Sequence, residues 1–137
     1  MKIKPFELPV RVYYEDTDAQ GVVYYANYFC FMERARTEWL AALGIDHVAL
    51  MNEEKRILVV TEAHAKFLIP ARLGDLLIVT ASLRKLGRAS FEIEQNIYRE
   101  SSEGQLLIQG GVSAAYLEAD TMKPKRIPKE FFEENPS

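Results

Sequence analysis

The run Asp16-Thr17-Asp18-Ala19-Gln20-Gly21 places two carboxylates and a glycine turn directly ahead of a helix start. Unpaired backbone N–H groups at a helix start carry partial positive charge and can hydrogen-bond an oxyanion. A nearby carboxylate can attack a carbonyl carbon or activate water against it. Together these are the parts of an acyl-transfer site. A thioester suits such a site best, because the leaving thiolate has a conjugate thiol of pKa about 8.5 and departs without the strong general acid that an amide nitrogen requires.

Position depends on the elements around this run. Val10 to Tyr14 reads as a strand, with Val10 and Val12 alternating against Arg11 and Tyr13. After Asn27, the residues Phe29, Met32, Ala35, Trp39, Leu40 and Leu43 recur at helical spacing, and Gly44 closes the helix. Asp18 is therefore expected beside that helix's N-terminus. Beyond it the chain turns to strand character: Ile57 to Ile69, stopped at Pro70; Leu76 to Leu86; a turn at Gly87-Arg88; Phe91 to Arg99; and Leu106 to Leu117. Gly110-Gly111 inside the last strand signals a bulge or a close backbone approach. Pro128 opens a segment, Lys129 to Glu134, expected to be a short helix. One long helix and about five antiparallel strands make an α+β architecture in which the sheet wraps the helix, over a single domain spanning residues 1–137. The open edges of such a sheet invite pairing with a second copy.

The string YYEDTDAQGVVYYANYFCFMERARTEWL resembles the signature segment of the hotdog-fold acyl-CoA thioesterases, in the branch holding the 4-hydroxybenzoyl-CoA thioesterases and the thioesterases encoded with the Tol-Pal system. Asp16, Asp18, Gly21, Val23, Tyr24, Asn27 and Tyr28 match its DxDxxGxVY(H/Y)xNY core. LGRASFEIEQNIYR resembles the family's hairpin between its third and fourth strands, and KPKRIPKEF its usual ending. The resemblance implies a hotdog fold and an acyl-CoA substrate. It also implies a homodimer or homotetramer with the active sites at the dimer interface. Asp18 then becomes the nucleophile or the general base, and the Tyr25 backbone N–H the donor to the thioester oxygen. Tyr25 stands where many Tol-Pal-type relatives carry histidine, but a backbone donor survives a change of side chain.

Each of these residues also has a structural role to weigh. Asp18 can cap a turn, and Asp16 is read as a structural Asx-type turn residue. Tyr24, Tyr25 and Tyr28 can simply pack. Arg84, Lys85, Arg88 and Ser90 surround the Gly87 turn, where cations can hold the phosphates of coenzyme A or can decorate a solvated hairpin tip. Lys123, Lys125 and Arg126 form a second basic group. Cys30 is expected to be a small buried helix residue rather than a nucleophile, and Glu33 and Glu38 to be solvated or ion-paired, with a second catalytic carboxylate at Glu33 as the alternative. His47 and His64 have no metal-ligand spacing with Cys, Asp or Glu, so neither a metal nor any other cofactor is implied.

Composition bounds the remaining classes. A chain of 137 residues with 48% hydrophobic residues can furnish one core. A net charge of −3 gives no basic field for nucleic acid. The apolar runs are too short for a membrane span, and the N-terminus lacks the apolar stretch of a signal peptide. One cysteine suits a cytoplasmic location. The expected function is hydrolysis of a short-chain or aromatic acyl-CoA. The alternative from another class is a non-catalytic module that binds acyl-CoA or an acyl carrier protein.

Overall fold

A computed structural model describes residues 4–133. The chain forms β1 (Phe6–Arg11), a 3-10 turn (Tyr14–Asp16), α1 (Asn27–Ala42), α2 (His47–Glu54), β2 (Arg56–Phe67), β3 (Leu76–Leu86), β4 (Ser90–Arg99) and β5 (Leu106–Glu118). The strands make one antiparallel sheet in the order β1-β3-β4-β5-β2.

Helix α1 buries Tyr28, Phe31, Met32, Ala35 and Leu40 against that sheet, so the apolar stripe read from the sequence is rotated slightly toward Tyr28 and Phe31. Removing Phe31 and Met32 completely from water stabilises the layer by roughly 1.5–3 kcal/mol each. The same rotation turns Cys30 outward, so it is an exposed free thiol rather than a buried residue. The helix ends in a Schellman arrangement. Gly44 sits at φ 88°, its N–H bonds the Ala41 carbonyl at 2.9 Å, and Ile45 N–H bonds the Leu40 carbonyl at 2.8 Å.

Strand register sets the two faces of the sheet. Leu77, Val79, Ala81, Phe91, Ile93, Ile97, Ile108, Val112 and Ala114 are buried at alternating positions beneath the helix. Among them lies Gln95, 0% exposed, which donates to the Met32 carbonyl at 2.8 Å and to the Thr80 carbonyl at 3.3 Å. Its carbonyl accepts from Arg36 at 3.0 Å. Gly110 and Gly111 are close approaches rather than the bulge: a side chain on Gly110 would meet the His64 carbonyl, and one on Gly111 the Ile93 carbonyl. The register shifts fall instead between Val60 and Glu62, between Leu83 and Lys85, and between Ile97 and Tyr98.

Three local expectations are corrected. Strand β1 starts at Phe6 and stops at Arg11 instead of running to Tyr14, because the Asp16 carboxylate captures the Tyr13 N–H at 2.9 Å and curls the chain into a turn. Helix α2 falls where strand character was expected to begin. Asp46 caps it by accepting the Val48 N–H at 2.9 Å, and Lys55 ends it at φ 57°. The segment after Pro128 forms turns, not a helix; it is held by Phe131 and Phe132, which pack on Tyr116, Trp39 and Phe91. Glu134, the expected end of that helix, lies outside the described residues.

The two sheet edges differ. β1 is short and carries Pro9, which suits an edge. β2 runs twelve residues, pairs with β5 alone, and leaves Val60 and Phe67 45% and 49% exposed.

Candidate active site

The carboxylate loop is built by the two residues at its ends. Asp16 is 5% exposed; its Oδ2 accepts the Tyr13 N–H and its Oδ1 the Asn27 side-chain amide at 3.1 Å, while its carbonyl accepts the Tyr24 N–H at 2.9 Å. Asp16 is thus structural, as read from the sequence, and it ties the loop to the first residue of α1. Between these ties, Thr17 and Val23 bridge to form a small hairpin with Asp18 at its turn.

Asp18 itself is exposed. Its Oδ1 accepts the Gln20 N–H at 2.9 Å and the Val22 N–H at 3.4 Å, an Asx-type arrangement. Oδ2 has no hydrogen-bond partner among the described residues. One oxygen therefore fixes the side chain and the other remains available.

The loop is stitched to the β2–β3 connection by Val23 N–H to Ala71 O at 2.9 Å and Leu73 N–H to Gly21 O at 3.0 Å. From the other side, the buried Tyr28 hydroxyl accepts the Ala71 N–H at 2.9 Å. Burial pushes the Tyr28 phenol above its ordinary range, with the Ala71 bond and Arg99 opposing. Arg99 steadies the same connection by pairing with Asp75 at 3.1 Å and donating to the Pro70 carbonyl at 3.0 Å.

Helix α1 begins with no side-chain cap, since Ala26 occupies the capping position. The carbonyls of Tyr24, Tyr25 and Ala26 are taken by Asn27, Tyr28 and Phe29, but the Tyr25 and Ala26 N–H groups have no acceptor among the described residues. An uncapped helix start with two free donors has the chemistry to hold an oxyanion. The rings around it are aromatic. Tyr24 lies 4.9 Å from Tyr25, and Phe67 lies 6.3 Å from Tyr25 and 5.7 Å from Tyr28. The adjacent Tyr25 phenol also pushes the Tyr24 phenol above its ordinary range. Of the three tyrosines Tyr28 packs, while Tyr24 and Tyr25 stay exposed at the site.

The basic residues gather at the opposite end of the sheet. Gly87 N–H bonds the Ser90 carbonyl at 2.8 Å to close the β3–β4 turn, and Ile127 N–H bonds the Arg88 carbonyl at 2.8 Å. That second bond brings the two basic groups together. Arg88, Arg126 and Lys129 line a hollow of about 420 Å³ with Leu86, Gly87, Ile127 and Pro128. Arg84 and Lys85 are exposed on the end of β3 outside its lining, Lys125 pairs with Glu118 at 3.7 Å, and Ser90 finishes the turn. Lys129 was not singled out from the sequence; only its proximity to Arg88 marks it. Because β3 spans about 33 Å, Asp18 and Arg88 of one chain stand at opposite ends of the sheet.

The thioesterase superfamily model matches residues 20–104, from just after Asp18 to the β4–β5 turn. The chain belongs to this thioesterase family. It is 40% identical over 125 residues to the acyl-CoA thioesterase YbgC of Haemophilus influenzae, covering 91% of this chain and 90% of that protein. A probable thioesterase from Bartonella henselae is 33% identical with a TM-score of 0.84, over 91% of this chain and all of that one. A 1,4-dihydroxy-2-naphthoyl-CoA thioesterase from Synechocystis, 22% identical, shares the fold with a TM-score of 0.86 over 97% of this chain. The helix wrapped by a five-stranded antiparallel sheet is therefore the hotdog fold. Among the thioesterase's described residues, no helix is long and apolar enough to cross a membrane.

Proposed function

We propose that the chain is a cytoplasmic acyl-CoA thioesterase, one domain over its length, that hydrolyses a short-chain or aromatic acyl-CoA to the free acid and coenzyme A. The observation that carries this reading is the pair of free N–H groups, Tyr25 and Ala26, on the loop that also carries Asp18 with an unpartnered carboxylate oxygen. The thioester oxygen docks at Tyr25 N–H, and Asp18 attacks the carbonyl carbon or takes a proton from the attacking water. Charge builds on the oxygen as the tetrahedral state forms, which is where the helix-start donors act. The similarity to the acyl-CoA thioesterase YbgC supports this chemistry.

A dimer joined through β2 explains why the basic hollow lies at the far end of the sheet. Antiparallel pairing of two copies of Arg56–Phe67 sets the Phe67 end of one against the Arg56 end of the other. The Phe67 end of one copy, beside which Tyr25 lies, then faces the hairpin end of the second, and three strand spacings, roughly 15 Å, separate β2 of the first from β4 of the second. Arg88, Arg126 and Lys129 of the second copy then take the coenzyme's phosphates, with Arg84 and Lys85 adding to the positive field. The exposed Val60 and Phe67 are covered in the same step.

Release of free thiol from a panel of acyl-CoAs tests the reading. Asp18→Asn should lower kcat by about 10²-fold or more with little change in substrate binding. A binding module for acyl-CoA or for an acyl carrier protein would show no turnover in either protein and equal binding in both, which would overturn the enzymatic reading.

A further inference from the structure

Between α1 and the sheet lies a second cavity, of about 210 Å³, lined by Leu40, Leu58, Val60, Phe91, Ile93 and Ala114 together with Arg36. An engineered apolar cavity of about 150 Å³ accepts benzene, so this one holds a group of about six carbons with a polar end. Leu58 and Val60 belong to β2, on the side that packs under the helix. Glu33 and His47 form its exposed rim.

Arg36 is out of place in such a wall. It is half-buried, and burial pulls its guanidinium below its ordinary range while Glu33 opposes this. No carboxylate lies within ion-pair distance of it among the described residues. One of its five N–H donors reaches the Gln95 side-chain Oε1 at 3.0 Å. Gln95 is in turn fixed by the Met32 and Thr80 carbonyls, so the guanidinium is oriented by a buried and fully engaged partner. A partly buried cation with spare donors beside an apolar cavity selects an anion in that cavity.

We propose that this cavity receives the acyl group and that Arg36 selects acyl groups whose far end carries a carboxylate. The inference rests on the thioesterase dimer reading above. In the β2-joined dimer, the Leu58 and Val60 end of a second copy lies beside the Asp18 loop, so the acyl group enters the second copy's cavity from the first copy's catalytic loop. The apolar walls take the methylene chain, and the planar guanidinium meets the terminal carboxylate. Glu33 stands at the exposed rim, where water screens it.

Adipoyl-CoA and hexanoyl-CoA test this directly, since they have six acyl carbons each and differ only at the far end. The unaltered protein should prefer adipoyl-CoA by roughly 10-fold or more in kcat/KM, the size expected of a charge-assisted hydrogen bond. In Arg36→Met the adipoyl-to-hexanoyl ratio should collapse toward one. Arg36→Lys, which keeps the charge but not the planar fork, should fall between. Affinities of the two esters for Asp18→Asn, read by calorimetry, should show the same preference without turnover. Equal affinity and equal kcat/KM for the two esters in the unaltered protein would overturn the proposal, as would a ratio unmoved in Arg36→Met. Hydrolysis without preference sinks the Arg36 inference and leaves the thioesterase reading standing. Preference in binding with no hydrolysis supports Arg36 and sinks the thioesterase reading.

Discussion

Asp16 Oδ1 accepts the Asn27 side-chain amide at 3.1 Å, and this bond joins the buried end of the carboxylate loop to the first residue of α1. The free donors at Tyr25 and Ala26 lie on the short span enclosed by it. The fold of the loop and the geometry of the candidate site therefore share one contact.

Asn27→Ala removes that donor and leaves a buried carboxylate oxygen without a partner. The expected loss is about 1.5–3 kcal/mol, seen as a Tm lower by roughly 5–10 °C. Thermal unfolding measures it, and an unchanged Tm would show that the Tyr13 N–H alone suffices to hold Asp16.

Arg88→Ala with Arg126→Ala should raise KM for an acyl-CoA by roughly 10-fold or more, because charge-assisted contacts to phosphate are lost. The same double change should leave KM for the matching acyl-pantetheine thioester unmoved, since that substrate carries no nucleotide. Added salt should raise KM for the CoA ester in the unaltered protein. Equal shifts for both substrates would place the coenzyme elsewhere.

Tyr28 links stability to alkaline pH. Its phenol is raised by burial, so the folded chain holds the proton where the unfolded chain has released it. The contribution is fully present below about pH 10 and is lost as pH rises through the folded value. Denaturant unfolding should show stability falling above about pH 10, with a shallower fall in Tyr28→Phe. At neutral pH that variant should be weaker by about 1–3 kcal/mol, because the Ala71 N–H loses its acceptor. Parallel alkaline slopes in the two proteins would refute the assignment to Tyr28. Tyr116, raised mainly by burial, adds to the fall in both.

Much of the fold was legible because it follows from local rules. Leu76–Leu86 and Ser90–Arg99 alternate around a glycine turn, and Asn27–Ala42 carries a helical stripe closed by Gly44. Helix α2 escaped because its eight residues bury only Leu50 and show little periodicity; the Asp46 cap was the available signal. Cys30 was misplaced because a stripe read from spacing is uncertain by a fraction of a turn, enough to move one residue from core to solvent.

The candidate site divides in the same way. The Asp16, Asp18, Gly21 and Asn27 pattern could be read directly, since a turn and a helix start are set by a few adjacent residues. The meeting of Arg88 with Arg126 and Lys129, the placement of Arg36 against Gln95, and the separation of Asp18 from Arg88 could not. These depend on strand order and register, which are decided by burial summed over the whole chain. Backbone geometry and side-chain period let the sequence by itself determine the long helix, most of the strands and the carboxylate loop, and the resemblance of its motif to a known signature pointed to the family. Only the tertiary structure decided which distant cations share a hollow and which arginine faces the apolar cavity, because packing a sheet on a helix satisfies the core first and leaves polar neighbours where register puts them.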